Sequence, residues 1–421
     1  MKQPCRCEST PRSRIFPPPK DPSGKPKEKK GREFRSALCV NGRVELTRER
    51  FGGGGQDSEH PCDRLVDETE AAVSVGARQL CVREGINARS FDRGRENLKH
   101  AALIAVGEEQ FRQLVESEGK NVLRLSGDDQ LELDWSASAC KTQTPDGRET
   151  TRLYASADGV LVPATTQSEK DKRRATVLKK RQNMPREKRK RLKPLGRVRK
   201  GSDQGYKQIY VTIFYDQDQE HRLVGVTRGK IKGLKRLLKT DAARVHLRCA
   251  QERLGMVDGA VCLRNHLDML RLDEVLLDFY HLGEHVGQAA AKTLGAESEA
   301  AKQWLAKALH TLRHEGYSPF FGQLLDWRSP LRGGKREVAD ELINYVASRR
   351  EMIAYDKCDA RGWDVGSGPM ESMCGVTTDR IKGRGRRWDL ENAEAMMELE
   401  ALYQSTGLWD RYWQNQLAHR N

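Results

Sequence analysis

Three carboxylates have neighbours suited to chemistry. Asp158 stands in Ser156-Ala-Asp-Gly159 and Asp258 in Met256-Val-Asp-Gly-Ala260, each at the expected end of a strand and followed by glycine. Glu371 follows a Gly/Ser loop and Pro369 in Gly366-Ser-Gly-Pro-Met-Glu-Ser372, at an expected helix start. Gathered at one point, such groups can hold two divalent cations about 3.5–4 Å apart for phosphodiester cleavage, one activating the nucleophile and one stabilising the leaving oxygen. Mg²⁺ prefers oxygen ligands and keeps several waters, so few side chains are needed; Mn²⁺ is expected to substitute. A glycine beside each aspartate leaves room for a substrate backbone. Each pattern also has a plain reading. Asp-Gly is a common turn, and an acid in a first helical turn complements the helix dipole.

Asp278 competes for the second position, because Leu277-Asp-Phe-Tyr-His281 also ends an expected strand. Asp258 is preferred, since the fourth strand of the expected sheet brings a carboxylate beside the first. Asp278 and His281 then act as accessory groups that position the metal site or DNA from the fifth strand. His281-Leu-Gly-Glu-His285 also matches H-x-x-E-H, a zinc-protease signature with two histidines one helical turn apart. That reading lacks a third ligand and leaves the basic charge unexplained.

The chain has 421 residues and a net charge of +15, a balance that favours polyanions. Position matters more than the total. Residues 168–200 hold 16 Lys or Arg against 3 Asp or Glu, so +13 of the charge lies in this stretch. Arg173, Arg174, Lys179, Lys180, Arg181, Lys188 and Arg189 are its candidate phosphate contacts, on what reads as a solvated basic linker or loop. A second basic run follows Glu371, where Arg380, Lys382, Arg384, Arg386, Arg387 and Trp388 could hold DNA close to the metals. Ten cysteines occur without a C-x-x-C pair, so free thiols are expected. No apolar run reaches the ~20 residues of a membrane span, and no signal-peptide pattern opens the chain. The expected setting is cytoplasmic, in association with the nucleoid.

The elements that must position these residues follow from composition and period. Residues 1–60 are basic and Pro-rich, and expected to be largely disordered, with a short strand near 37–47 before Gly52-Gly-Gly-Gly55. Residues 61–135 predict three helices, 68–84, 90–103 and 108–118, with Gly85 and Gly119 as stops and Ser90 as a cap, in a helix-turn-helix-like unit. Residues 150–281, with a basic insertion at 168–201, predict strands at 152–162, 207–215 and 221–227. A helix over 241–254, an apolar run ending in Asp258, a helix over 261–269 and a strand over 274–279 complete it. Three strands, helix, strand, helix and strand is the order of an RNase H-like α/β fold with a mixed sheet. Residues 282–360 read as an α-helical insertion. Residues 361–421 return to the core and include one long helix over 389–413.

The stretches Ser156-Ala-Asp-Gly159, Met256-Val-Asp-Gly-Ala260, Leu277-Asp-Phe-Tyr-His281, Gly366-Ser-Gly-Pro-Met-Glu371 and Gly383-Arg-Gly-Arg-Arg-Trp388 resemble, in order, the motifs of the Kra-type bacterial insertion-sequence transposases, which are similar to Mutator-like DDE enzymes. The resemblance covers about 67–413. It implies Asp158, Asp258 and Glu371 as a catalytic, metal-binding triad, Mg²⁺ as cofactor, transposon terminal repeats and target DNA as partners, and a homodimer on paired ends. The chain departs from that pattern in having Val257 before the second aspartate and Cys262 four residues after it, where the family usually has Gly and Trp. It has Phe51-Gly-Gly-Gly-Gly55 where a cysteine pair often stands.

Overall fold

The computed structural model describes residues 17–52, 58–61 and 73–418. Two compact units emerge, one drawn from Met1–Val115 and Tyr412–Asn421, the other Glu116–Arg411.

In the first unit, β1 (Glu28–Cys39) and β2 (Gly42–Gly52) form an antiparallel hairpin. Its turn ends in Asn41-Gly42, with Gly42 at φ +98°, a turn chemistry that favours tight hairpins. Residues 28–35, expected to lack order, are therefore strand. The charge that suggested disorder is spent across the hairpin: Glu33 pairs with Arg48 at 3.2 Å, Arg50 at 3.1 Å and His60 at 3.1 Å. Three helices follow, α1 (Val75–Asn87), α2 (Phe91–Ala101) and α3 (Glu108–Gly127), the last running on into the second unit. Ser74 and Ser90 cap α1 and α2 through their side-chain oxygens. The part of the first predicted helix over 68–72 lies outside the described residues.

Gly85 and Gly119 do not stop their helices. A Cβ on Gly85 would lie 2.5 Å from Val115, and one on Gly119 only 2.7 Å from the Ala395 carbonyl oxygen. Both glycines permit close packing rather than termination.

The second unit holds a sheet of β3 (Lys141–Gln143), β4 (Glu149–Pro163), β5 (Tyr206–Tyr215), β6 (Arg222–Thr227), β7 (Glu252–Val257) and β8 (Glu274–Leu277). Their order is β6-β5-β4-β7-β8, with β3 on β4. β4, β5 and β6 pair antiparallel, whereas β7 joins β4 and β8 joins β7 in parallel. The fold is thus mixed α/β with a mixed sheet. Between the strands lie α4 (Gln167–Gln182), α5 (Arg186–Lys190), α6 (Lys230–Arg244) and α7 (Val261–Leu267). After β8 come α8 (Phe279–Leu294), α9 (Glu299–His314), α10 (Tyr317–Arg328), α11 (Gly334–Ala347) and α12 (Tyr355–Arg361). α13 (Gly368–Lys382), α14 (Leu390–Gln404) and α15 (Leu408–Ala418) complete the chain. No described helix is long and apolar enough to cross a membrane.

Three expectations are corrected here. The helix predicted over 241–254 ends at Arg244, and residues 252–257 are β7, whose short buried run carries no periodicity that separates strand from helix. The basic insertion is not an open linker. Thr166 and Glu169 form a reciprocal capping box that starts α4, and buried Lys170 pairs with Asp389 at 2.6 Å. The long C-terminal helix is two. Between α14 and α15, Ser405 Oγ accepts from Val224 N at 2.9 Å and Thr406 N donates to Arg222 O at 2.9 Å. Gly407 turns the chain there at φ +72°.

Candidate active site

The parallel ladder between β4 and β7 ends at Ser156↔Met256, where Ser156 Oγ donates to the Met256 carbonyl at 2.7 Å. Two residues further along each chain stand Asp158 and Asp258. β7 has stopped at Val257, but β4 continues to Pro163, with Asp158 opposite Val211 of β5. Asp158 therefore lies within its strand rather than at its end. Burial, joined by the neighbouring Asp258 charge, pushes the Asp158 carboxyl above its ordinary range, while the Gly159 N–H and the Lys382 charge pull the other way. Two carboxylates brought together in a half-buried place repel each other and favour a cation between them.

Asp158 Oδ1 accepts from Gly159 N at 2.5 Å and Oδ2 from the Cys374 thiol at 3.6 Å. Asp258 Oδ1 accepts from Ala260 N at 3.2 Å. Gly259 is required twice over. It adopts φ +108°, and a Cβ there would lie 2.4 Å from the Tyr345 hydroxyl.

α13 packs against β4 and buries Met370, Met373, Thr377 and Ile381. Glu371 is exposed in its first turn. Cys374, three residues on, shares that side of the helix, so the acid sits one turn from the thiol that touches Asp158. None of Asp158, Asp258 and Glu371 has an ion pair with a described base. Hard oxygen donors with uncompensated charge fit Mg²⁺ or Mn²⁺. Burial and Asp158 raise the Cys374 thiol above its ordinary range, and it serves as a donor to Asp158. The three carboxylates are not closed on a point, since the one described group of three His, Cys, Asp or Glu ligand atoms within 4.8 Å of one another lies elsewhere.

Asp278 has a different job. It directly follows β8, and its N–H donates to Val257 O at 2.8 Å. Oδ1 caps α8 by accepting from His281 N at 2.9 Å, and Oδ2 accepts from Ser367 N at 2.6 Å and from Ser367 Oγ. Both oxygens of this buried carboxylate are committed, and they tie the start of α8 to the loop that leads into Glu371. His281 is half exposed, with its ring 5.0 Å from that of His285. No described third ligand joins them. His285 stacks instead on Tyr345 at 4.1 Å.

Sequence reasoning missed Cys374, Ser367, Tyr345 and Arg349. Cys374 was within reach, because it stands one helical turn after Glu371. Tyr345 and Arg349 carried no signal; they meet Gly259 only in three dimensions, where Arg349 Nε donates to Gly259 O at 2.9 Å.

No protein-family model matches the chain, and no curated protein matches it. Among the basic residues, Arg173, Lys179, Lys180, Lys188 and Arg189 are exposed on α4 and α5. Arg174 and Arg181 are half-buried and donate to the Gly196 and Lys193 carbonyls at 3.0 and 2.8 Å. The second basic run divides similarly. Arg380 is buried over the Trp388 ring at 5.2 Å, and burial lowers its pKa to about 10. Trp388 is buried too, its indole donating to Ile381 O at 3.3 Å, so it offers no stacking face to an unpaired base. Arg386 donates to Arg380 O at 2.6 Å, and Arg387 to Gly205 O at 3.0 Å. Lys382 and Arg384 remain exposed, and Lys382 acts on Asp158 through its charge.

Proposed function

We propose that this chain is a DDE transposase with an RNase H-like core, cutting transposon ends and joining them to target DNA. The observation that carries this reading is the pair Asp158 and Asp258, delivered side by side by two parallel strands and left without an ion pair to a described base. The strand order, with three antiparallel strands followed by two parallel ones, supports the core, and Glu371 beside the Cys374 turn supports the triad. When bound, Mg²⁺ would neutralise phosphate charge and activate the attacking oxygen. Asp158, Asp258 and Glu371 would hold it, and Asp278 would hold the Ser367 loop that presents Glu371. Lys382, Arg384 and the exposed face of α4 would bind backbone phosphates. Hydrolysis would place water's oxygen on phosphorus and free a 3′-hydroxyl, which would then attack a target phosphodiester. The three helices of 75–127 would read the terminal repeats, and two copies would pair the ends at the nucleoid.

The test is cleavage of a labelled duplex carrying the flanking element end, with Mg²⁺ or Mn²⁺. Loss of detectable cutting in Asp158→Ala, Asp258→Ala and Glu371→Ala, with DNA binding retained, is expected. Asp278→Ala should also lose rate, with the loss accompanied by lower stability. If Asp258→Ala still cuts at the normal rate, the second aspartate is misassigned. A second reading, a DNA-binding protein derived from such an enzyme, is favoured by the open spacing of the carboxylates and by the thiol occupying an Asp158 oxygen. Specific binding of the end with no cutting under either metal would establish it.

A further inference from the structure

A second group of metal-ligating side chains lies far along the sheet from the carboxylates. Cys140 Sγ, an Asp216 oxygen and a His221 nitrogen all lie within 4.8 Å of one another. Each comes from a different place in the chain. Cys140 follows a short helical turn over 137–139, and its carbonyl accepts from Arg152 N at 2.9 Å. Asp216 directly follows β5, and His221 directly precedes β6. Since Tyr154 pairs with Tyr215 and Asp158 with Val211, at least four residues of strand separate this group from Asp158, about 13 Å.

An ordinary explanation covers two of the three. Asp216 closes the β5–β6 turn by accepting from His221 N at 3.1 Å and meeting His221 Nδ1 at 2.6 Å. It leaves Cys140 unexplained. That thiol is buried, and its partner is a distant carbonyl, Ser136 O at 3.8 Å. The Trp135 ring lies 5.2 Å from His221 and fixes the imidazole in place. Thiolate, imidazole and carboxylate together are the ligand mixture of zinc, with bonds of about 2.0–2.3 Å, and they disfavour Mg²⁺.

We propose that Cys140, Asp216 and His221 bind one Zn²⁺, which clamps the segment ahead of β3 to the β5–β6 turn. Binding replaces the thiol proton with the metal and releases it to solvent. Three protein ligands leave a fourth position for water, on the side where His221 is partly exposed.

The test uses the full chain, stripped with chelator and titrated with Co²⁺. The expected result is a near-ultraviolet thiolate-to-cobalt band that saturates at one equivalent and disappears when Zn²⁺ is added. Cys140→Ser should abolish the band, and His221→Ala should weaken binding about tenfold or more. Cys374→Ser and Cys5→Ser/Cys7→Ser should keep it. Absence of the band in the unsubstituted chain, or its survival in Cys140→Ser, overturns the site. Should Cys140→Ser fail to fold, X-ray absorption of the zinc-loaded chain decides. One sulfur among lighter ligands supports the proposal, and no sulfur refutes it.

Discussion

The two ends of the β4–β7 ladder carry charge in opposite ways. At the start, Arg152 is almost wholly buried and every arm of its guanidinium is used. It donates to Glu252 Oε2 at 2.7 Å, Gln217 Oε1 at 2.8 Å, Gly362 O at 2.5 Å and Arg361 O at 2.8 Å. Six residues on, Asp158 faces another acid and has no ion pair with a described base, only the more distant charge of Lys382. Burying a charge is costly unless it is paired, so the first arrangement holds the fold together, and the second leaves a carboxyl without an ion pair, as the proposed cation site requires. The two ends are also connected. Arg152 grips 361 and 362, Tyr154 OH accepts from Asp364 N at 2.9 Å, Phe279 N donates to Val365 O at 2.8 Å, and Asp278 holds Ser367. The segment is fastened stepwise from the end with the ion pair to the end without one, and it leads into Glu371.

The sharpest way to test this contrast is to remove the satisfied charge. Arg152→Met leaves buried Glu252 with only the longer contact to Arg361 at 3.7 Å and strips the donors from two carbonyls. Loss of about 3–5 kcal/mol of stability is expected, measured by denaturant unfolding. Because the 361–367 segment loosens with it, cleavage should fall further than the folded fraction does. A variant that loses stability but cuts normally per folded molecule would separate the two ends.

Glu398 could break the comparison, because it is a buried acid that the proposed site does not use. It lies on α14 at 4% exposure, Oε2 has no hydrogen-bond partner, and burial pushes its pKa up to about 8. Its ordinary value is 4.5. Below that, both folded and unfolded chains hold the proton. As pH rises from there to about 8, the unfolded chain releases its proton first, so stability falls, and it levels off above about 8. Glu398→Gln should remove that slope and be more stable at pH 9 by up to roughly 5 kcal/mol, with cleavage unchanged. Lost cleavage in a well-folded Glu398→Gln would show that an unpaired buried acid marks this site no better than any other.

Much of the sheet was legible because its strands alternate or run apolar between turn signals, and because strand and helix followed one another in a recognisable order. β4, β5 and β6 fell where Arg152, Tyr215 and Thr227 suggested. The start of β7 was misread as the end of a helix, because its mostly buried residues carry no period, whereas the run into Asp258 was read as strand. The glycines misled for a related reason. At Gly85 and Gly119 the requirement comes from Val115 and Ala395, which are distant in sequence, so a local rule about helix stops had nothing to act on. In the site, Asp158, Asp258 and Glu371 stood out through their glycine and proline neighbours. The commitment of Asp278 to Ser367, 89 residues away, belongs to tertiary structure alone. Trp388 and Arg380 were read as a DNA-facing pair on composition, yet they bury each other.

The smallest expected effect bears most directly on the meaning of the Asp158 end. A carboxyl whose folded pKa is raised keeps its proton longer when folded, so its contribution to stability is lost as pH rises through that value. Asp158→Asn resembles the protonated acid and cannot repel Asp258. At neutral pH it should be more stable than the unsubstituted chain, by at most about 1 kcal/mol because the half-buried group is screened by solvent. The gain should vanish in acid, where Asp158 is already neutral, and it should shrink when Mg²⁺ is added, because the cation relieves the same repulsion in the unsubstituted chain but has lost a ligand in the variant. Thermal unfolding across pH, with and without Mg²⁺, measures both. A stability gain joined to lost cutting would mean that the fold tolerates this repulsion for the sake of a cation. A stability loss at every pH would mean that Asp158 is a structural acid held by Gly159 and Cys374, and the contrast between the two ends of β4 would disappear.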